Sequence, residues 1–286
     1  MSDVRAIDTL FPIILKDWFD SWKGATNSPG ELHCMVENTW KPFSSPEEII
    51  AEMDRTGVES VLATDLLAWS YKRQARFAKD YRDKIYELSK KYPGRIYGLA
   101  DYNPLNISES LRELERDVRD RGFVGVYVHI YGFDIPLDDR RMYPLYAKAE
   151  ELGVPVQMQT GYVLEAMPSE HGRPIALDRI SLDFPDLVLV GTHTGYPWVD
   201  ELISVSMKLP KVYVSISAWL PKYFHPSLVS YLKSKISADK VIFGSNGLAW
   251  GRYLDQMKDL GLPEESLRKI LYDNAKRIFK LDAHKR

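Results

Sequence analysis

The chain has 286 residues, of which 45% are hydrophobic and 27% are charged, and its formal net charge is −2. That charge offers no electrostatic attraction to nucleic acid or to an anionic membrane, and no apolar run approaches the ~20 residues that span a bilayer. One cysteine excludes an intramolecular disulfide and a cysteine-rich zinc site. The N-terminus lacks a signal-peptide pattern, so we expect a cytoplasmic protein.

Short apolar runs alternate with longer amphipathic stretches about eight times along the chain. The runs are continuous rather than alternating in hydrophobicity, which is typical of parallel strands buried on both faces. The predicted strands are residues 6–10, 58–64, 95–101, 125–129, 154–160, 187–193, 212–217 and 240–245. Eight such units in under 300 residues predict a single (β/α)8 TIM barrel over 1–286, because a doubly wound sheet uses about six strands.

The helix signals between the runs support this order. Ser45 followed by Pro46 and Glu48 predicts a helix start with a capping box. A second helix is predicted over 143–152, with Gly153 as its stop, and an amphipathic helix over 267–281 closes the chain.

One irregular insertion, residues 16–43, follows the first strand and is rich in Trp, Pro, Gly and Asn. In a barrel this segment lies over the catalytic face, so we expect a lid or a wall of the pocket. The alternative is a loop that only covers the barrel end.

Several segments, taken together and in order, resemble the amidohydrolase-related family of barrel hydrolases. They are AIDTLFP at 6–12, GFVGVYVH at 122–129, PVQMQTG at 155–161, VLVGTHTG at 188–195, FGSN at 243–246 and NAKRIF at 274–279. The resemblance implies a site at the C-terminal ends of the barrel strands. It also implies relatives that hydrolyse lactones or amides, decarboxylate aromatic acids or hydrate unsaturated acids.

The resemblance also implies a metal site whose ligands are mostly replaced here. In that family the first strand usually ends in His-x-His, the fifth and sixth strands in single His residues, and the eighth in Asp. This chain has Leu10 and Pro12, Gln159 and Asn246 at those positions, and only His193 remains. A catalytic divalent ion needs about three nitrogen or anionic oxygen donors. We therefore predict no metal cofactor.

Histidines at two strand ends are the predicted acid–base groups, His193 and His129, because histidine titrates near neutral pH. Each could instead be buried and satisfied by a backbone carbonyl. Asn246, the third predicted catalytic residue, cannot carry a proton as Asp would, but with Gln159 it can hydrogen-bond a substrate carbonyl or an oxyanion. The alternative for the two amides is a neutral network that fills the former metal position.

The loop after the fifth strand supplies Glu165, His171 and Arg173 as predicted substrate-binding residues. Arg173 suits a carboxylate or phosphate, although a solvated surface position fits it equally well. The predicted aromatic wall consists of Tyr127, Tyr131 and Trp250, for which packing between helix and barrel is the alternative.

These residues lead to three functional hypotheses. The first is a metal-independent hydrolase, or a lyase as second choice, that cleaves a C–C or acyl bond beside a carbonyl. Its substrate is a small organic acid or acyl thioester, with aromatic and β-keto acids as candidates. The second is a metal-dependent hydrolase or decarboxylase with zinc on relocated ligands, His129 and His193 with Glu165 or His171. The third is an inactive ligand-binding barrel. Tyr- and Trp-rich helical faces are compatible with a homo-oligomer.

Overall fold

The computed structural model of the protein describes residues 5–26, 40–76 and 79–284. Eight parallel strands form one sheet whose order follows the chain, β1 to β8. They are Ala6–Pro12, Val58–Thr64, Ile96–Ala100, Gly125–Val128, Val156–Gln159, Leu189–Thr192, Val212–Ser215 and Val241–Ile242. The last strand meets the first where the Thr9 N–H donates to the Phe243 carbonyl at 3.0 Å and the Asn246 N–H to the Leu10 carbonyl at 2.9 Å. The predicted TIM barrel is therefore confirmed.

Helices lie between the strands and are numbered α1 to α11 in chain order. They are Lys16–Thr26, Pro46–Thr56, Arg82–Lys91, Ile107–Arg119, Tyr143–Leu152, Ala176–Asp183, Val199–Lys208, Pro226–Leu232, Trp250–Asp259, Glu264–Arg268 and Asn274–Ile278. A short antiparallel ribbon pairs Trp69–Ser70 with Ala75–Arg76 after β2. No helix in the described ranges is long and apolar enough to cross a membrane.

The predicted start of α2 is present with one change of partner. The Ser45 hydroxyl accepts from the Glu48 N–H, and Pro46 occupies the first turn. The Glu48 carboxylate accepts a hydrogen bond from the Ser44 N–H at 2.6 Å rather than from the Ser45 N–H of a standard capping box. The helix ends at Gly57, whose φ of 80° needs the left-handed region that glycine adopts without a Cβ clash.

The predicted closing helix differs from the observed one. It begins earlier, at Glu264, and is interrupted by a π-helical turn, Lys269–Asp273. A π turn takes a carbonyl out of the regular i→i−4 ladder. The Ile270 carbonyl accepts instead from the Phe243 N–H at 3.0 Å, which anchors the helix to the end of β8.

The insertion is more regular than the sequence indicated. Residues 16–26 form α1, with Trp18, Phe19 and Trp22 buried on one face. Spacings of three and four residues place the Phe19 and Trp18 rings against Trp22 on one helix face. In the sequence, the high content of large aromatic residues instead suggested an irregular segment. Residues 27–39 of the predicted lid lie outside the described part of the chain.

Candidate active site

A cavity of about 790 Å³ opens at the C-terminal ends of the barrel strands. Four polar residues that the sequence placed at strand ends line it together: His129, Gln159, His193 and Asn246. Three of the four are buried, with exposed fractions of 6–8%. Parallel strands of a barrel end at one rim, which brings side chains from distant parts of the chain to one point.

His193 is held by Ser217, a residue that the sequence analysis did not single out. The Ser217 hydroxyl lies 3.0 Å from the His193 backbone nitrogen and 2.9 Å from its Nδ1. This leaves Nε2 as the nitrogen available for other partners. His193 has a φ of 59°, a left-handed conformation that is uncommon for a residue other than glycine. Such strain concentrates at functional sites.

His129 lies edge-on to the Tyr131 ring, with the ring centroids 5.3 Å apart. Its Nε2 lies 4.0 Å from the Glu165 carboxyl, and its buried Nδ1 has no hydrogen-bond partner among the described residues. Burial lowers the pKa of His129, although Glu165 opposes the change. Burial, together with nearby His129, lowers the pKa of His193 to about 3. Both imidazoles are therefore neutral at pH 7.

The two amides are positioned differently. Gln159 accepts a hydrogen bond from the Tyr127 hydroxyl at its Oε1, at 2.9 Å. Asn246 is fixed through its backbone instead, because its carbonyl accepts from the Trp40 indole N–H at 2.7 Å. The Asn246 side-chain amide has no hydrogen bond to another described residue and lines the cavity. It is thus available to a ligand.

A buried carboxylate, Asp8, supports this end of β8 and was not anticipated from the sequence. It accepts hydrogen bonds from the Ser245 N–H at 2.8 Å, from the Ser245 hydroxyl and from the Trp250 indole at 2.7 Å. Burial raises the pKa of Asp8 to about 6, although these hydrogen bonds act to lower it. The network fixes Trp250 in the cavity wall and holds the residue preceding Asn246.

Aromatic rings form most of the wall around the polar group. The described lining rings are Phe11, Trp22, Trp40, Phe43, Tyr127, Tyr162, Trp219, Tyr223 and Trp250. Three of these come from the predicted lid region, residues 16–43. Tyr127 and Trp250 belong to the predicted aromatic wall, and Glu165 also reaches the cavity.

Three other predicted binding residues are not among the lining residues. Tyr131 is buried beneath the cavity and donates to the Gly161 carbonyl at 2.8 Å. His171 pairs with Asp134 at 2.8 Å in a shallow surface depression.

Arg173 lies in the same depression. It pairs with Glu201, and its guanidinium lies 5.5 Å from the centroid of the Trp198 ring.

A family model described as Amidohydrolase matches residues 42–281. The chain belongs to the amidohydrolase family. This confirms the resemblance drawn from the strand-end segments.

Individual relatives of this amidohydrolase include a curated enzyme and solved structures. 2-Keto-4-carboxy-3-hexenedioate hydratase from a Sphingobium species is 26% identical over 217 residues. That alignment covers 62% of this chain and 63% of the hydratase, so the chain spans less than two thirds of that relative's length. An uncharacterised TIM-barrel protein from Bordetella bronchiseptica has 25% identity and a TM-score of 0.74, covering 98% of this chain and 99% of that chain.

A third similar structure is a dihydroxybenzoic acid decarboxylase from a Polaromonas species, with bound manganese and the inhibitor 2-nitroresorcinol. It has 17% identity and a TM-score of 0.71, covering 99% of this chain and 98% of that chain.

The prediction of no metal cofactor is contradicted by these neighbours. Decarboxylases with the same fold contain bound manganese. That prediction rested on the replaced ligand positions Leu10, Pro12, Gln159 and Asn246, and zinc on relocated ligands was kept only as the alternative.

The donor set of the described residues does not match the roughly three nitrogen or anionic oxygen ligands that such an ion needs. Leu10 and Pro12 have no donor atom, and Gln159 and Asn246 offer neutral amides. Within residues 5–26, 40–76 and 79–284, no group of three or more His, Cys, Asp or Glu side chains is arranged to hold an ion. The described residues therefore do not fit a divalent ion.

Proposed function

We propose that this amidohydrolase is a lyase that acts on a small aromatic or unsaturated carboxylic acid in the strand-end cavity. The observation that carries the proposal is the pair of buried, neutral imidazoles, His129 and His193, facing an aromatic-walled cavity. Lyase names occur among the relatives: a hydratase shares 26% identity, and a decarboxylase shares the fold. The proposal replaces hydrolysis, which was the first expectation from the sequence.

The aromatic wall suits a planar substrate. Trp219 and Trp250 line the cavity together with Trp40 and Phe43, and such rings stack on flat conjugated groups. A cavity of about 790 Å³ lies within the range of small-molecule sites, roughly 300–1,000 Å³. The size and the lining favour an acid with a ring or a conjugated chain.

The two histidines suit the carboxylate of that substrate. Their pKa values are lowered because burial disfavours the imidazolium. A substrate carboxylate placed between them reverses this effect, since a nearby negative charge favours the protonated ring. Binding of the acid thus couples to uptake of a proton beside it.

That proton is the one the reaction consumes. Imidazolium donates it to the carbon that bears the carboxylate, and the electron pair of the breaking C–C bond moves to that carbon as carbon dioxide leaves. In a hydration, the same proton reaches the carbon next to the carboxylate, water adds its hydroxide to the neighbouring carbon, and the remaining proton of that water returns to the imidazole. Gln159 and Asn246 then orient the carboxylate or a neighbouring oxygen through their amides.

Glu165 is the carboxyl group closest to this proton path. It lies 4.0 Å from His129 Nε2 and is mostly buried, with 16% of its side chain exposed. A carboxyl at this distance can reach hydrogen-bond contact with His129 through a small rotation and fix the orientation of its ring. Glu165, which the sequence predicted as a substrate-binding residue, is proposed to position His129.

The test measures two products from one set of incubations. The purified protein is incubated with hydroxybenzoic acids and with unsaturated dicarboxylic acids, as isolated and with added manganese. Carbon dioxide release reports decarboxylation, and loss of the conjugated ultraviolet absorbance reports hydration. We expect one acid to be turned over, and His193→Asn and His129→Asn to reduce kcat by about 10²–10⁴-fold.

His225→Asn is the matched control, because His225 is exposed at the start of α8, where Asn is also a good helix cap. It should leave turnover unchanged. Absence of turnover with every acid, or full activity in both strand-end variants, would contradict the proposal.

A further inference from the structure

Two cations, Lys41 and Arg252, line the mouth of the cavity. Lys41 follows the buried Trp40, and Arg252 lies in the first turn of α9. Both side chains are exposed, and neither forms an ion pair or a hydrogen bond with another described residue. Most other arginines and lysines of the described chain are paired, whereas these two line the cavity and neither is neutralised there by a described acidic side chain.

The acidic residue at this mouth does not neutralise them. Glu52 also lines the cavity, but Arg55 holds it with two hydrogen bonds, of 2.6 Å and 2.7 Å. A two-pronged guanidinium pair satisfies both carboxylate oxygens. The mouth therefore keeps an excess of positive charge from Lys41 and Arg252.

A neighbouring phenol responds to this charge. Tyr223 lies on the same rim, and its pKa is lowered, mainly by Lys222 and further by Arg252. Lys222 and Arg252 both lower the pKa of this exposed phenol. The rim is therefore positive on the side that α9 and Tyr223 form.

We propose that the substrate carries a second carboxylate, which Lys41 and Arg252 bind at the mouth while the first carboxylate lies between His129 and His193. This inference rests on the proposed function and names its substrate class as a dicarboxylic acid. Arginine offers a planar fork and lysine a compact ammonium, and both are used for carboxylates. The aromatic wall between the two ends would carry the conjugated part of the acid.

Binding can be measured without turnover, because four tryptophans line the cavity: Trp22, Trp40, Trp219 and Trp250. Quenching of their fluorescence by benzoate and by isophthalate gives the affinity for one and for two carboxylates. In the wild-type protein we expect isophthalate to bind at least tenfold more tightly, which corresponds to about 1.4 kcal/mol.

The variants assign this preference to the mouth. Arg252→Gln and Lys41→Gln should each reduce the ratio of the two affinities severalfold, while benzoate binding stays near the wild-type value. Lys258→Gln is the matched control, because Lys258 lies in the same helix, faces Asp255 and does not line the cavity. It should keep the wild-type ratio.

Equal binding of the two acids by the wild-type protein would overturn the inference, as would an unchanged ratio in both mouth variants. These outcomes are separable from failure of the lyase proposal. If no acid is turned over but the preference and its loss are seen, only the reaction is wrong. If monocarboxylic acids are turned over and the ratio is one, only the second carboxylate site is wrong.

Discussion

The buried carboxylate of Asp8 makes the stability of the barrel depend on pH in a defined direction. Burial raises its folded-state pKa to about 6 from an ordinary value of 3.8. A raised pKa means that the folded protein holds this proton when the unfolded chain has lost it, so stability is lost as the pH rises through 6. The full effect is the difference of the two pKa values times 1.36 kcal/mol, about 3 kcal/mol.

Asp8→Asn removes this titration. Between pH 4.5 and pH 7.5 the free energy of unfolding of the wild-type protein should fall relative to the variant by about 2 kcal/mol, because part of the effect lies below pH 4.5. A separate loss of about 1–3 kcal/mol, independent of pH, is expected because Asn has one acceptor oxygen where Asp8 has two, so the donors on one side of the carboxylate lose their acceptor.

Urea unfolding of both proteins at matched pH values measures the difference, in which the other titrating groups cancel. Ser44→Ala, on an exposed bend, serves as the control. A difference between Asp8→Asn and wild type that stays constant across this pH range would refute the reasoning.

Three further substitutions test other parts of the structure. Ser217→Ala leaves two nitrogens of buried His193 without their partner, and we expect urea unfolding to show a loss of about 1–3 kcal/mol. Ser217→Ala should also reduce turnover without changing the circular dichroism spectrum of the folded protein. Arg82→Gln removes the cation paired with buried Asp101, so thermal denaturation should show a loss of about 3–5 kcal/mol. Gly161→Ala combines a φ of 86° with an added Cβ that would clash with the Tyr196 backbone carbonyl. Its yield of folded protein should fall sharply, and normal yield with an unchanged melting temperature would contradict this packing.

The barrel itself was predictable from the sequence because buried parallel strands leave a strong local signal. Each of the eight apolar runs contains a strand, although most strands end one to three residues earlier than predicted. The early ends have a local cause at the site. His193 follows Thr192 with a left-handed backbone, which ends pairing in β6 before the apolar run ends.

Part of the candidate site was also predictable, because strand ends share one rim. His129, Gln159, His193 and Asn246 line one cavity as their strand positions indicated. Whether each acts in catalysis stays a prediction.

The supporting contacts were not predictable, because their partners are far apart in the chain. Asp8 meets Ser245 and Trp250 across more than 230 residues. Glu201 pairs with Arg173 outside the cavity. In both cases, nothing in the sequence around one residue indicates its partner.

The mouth cations were missed for a different reason. Lys41 lies in a segment interpreted as a lid, and Arg252 lies in an ordinary amphipathic helix. Only the folded arrangement shows that Arg55 binds Glu52, so that no described acidic partner remains for Lys41 and Arg252.

The most direct test of the central claim is a crystal structure of the protein with a slowly reacting aromatic acid. We predict the carboxylate of the acid between the rings of His129 and His193, within hydrogen-bond distance of His193 Nε2, and the ring against Trp219 or Trp250. An acid bound instead in the surface depression beside Arg173, with the strand-end cavity free of it, would contradict the account.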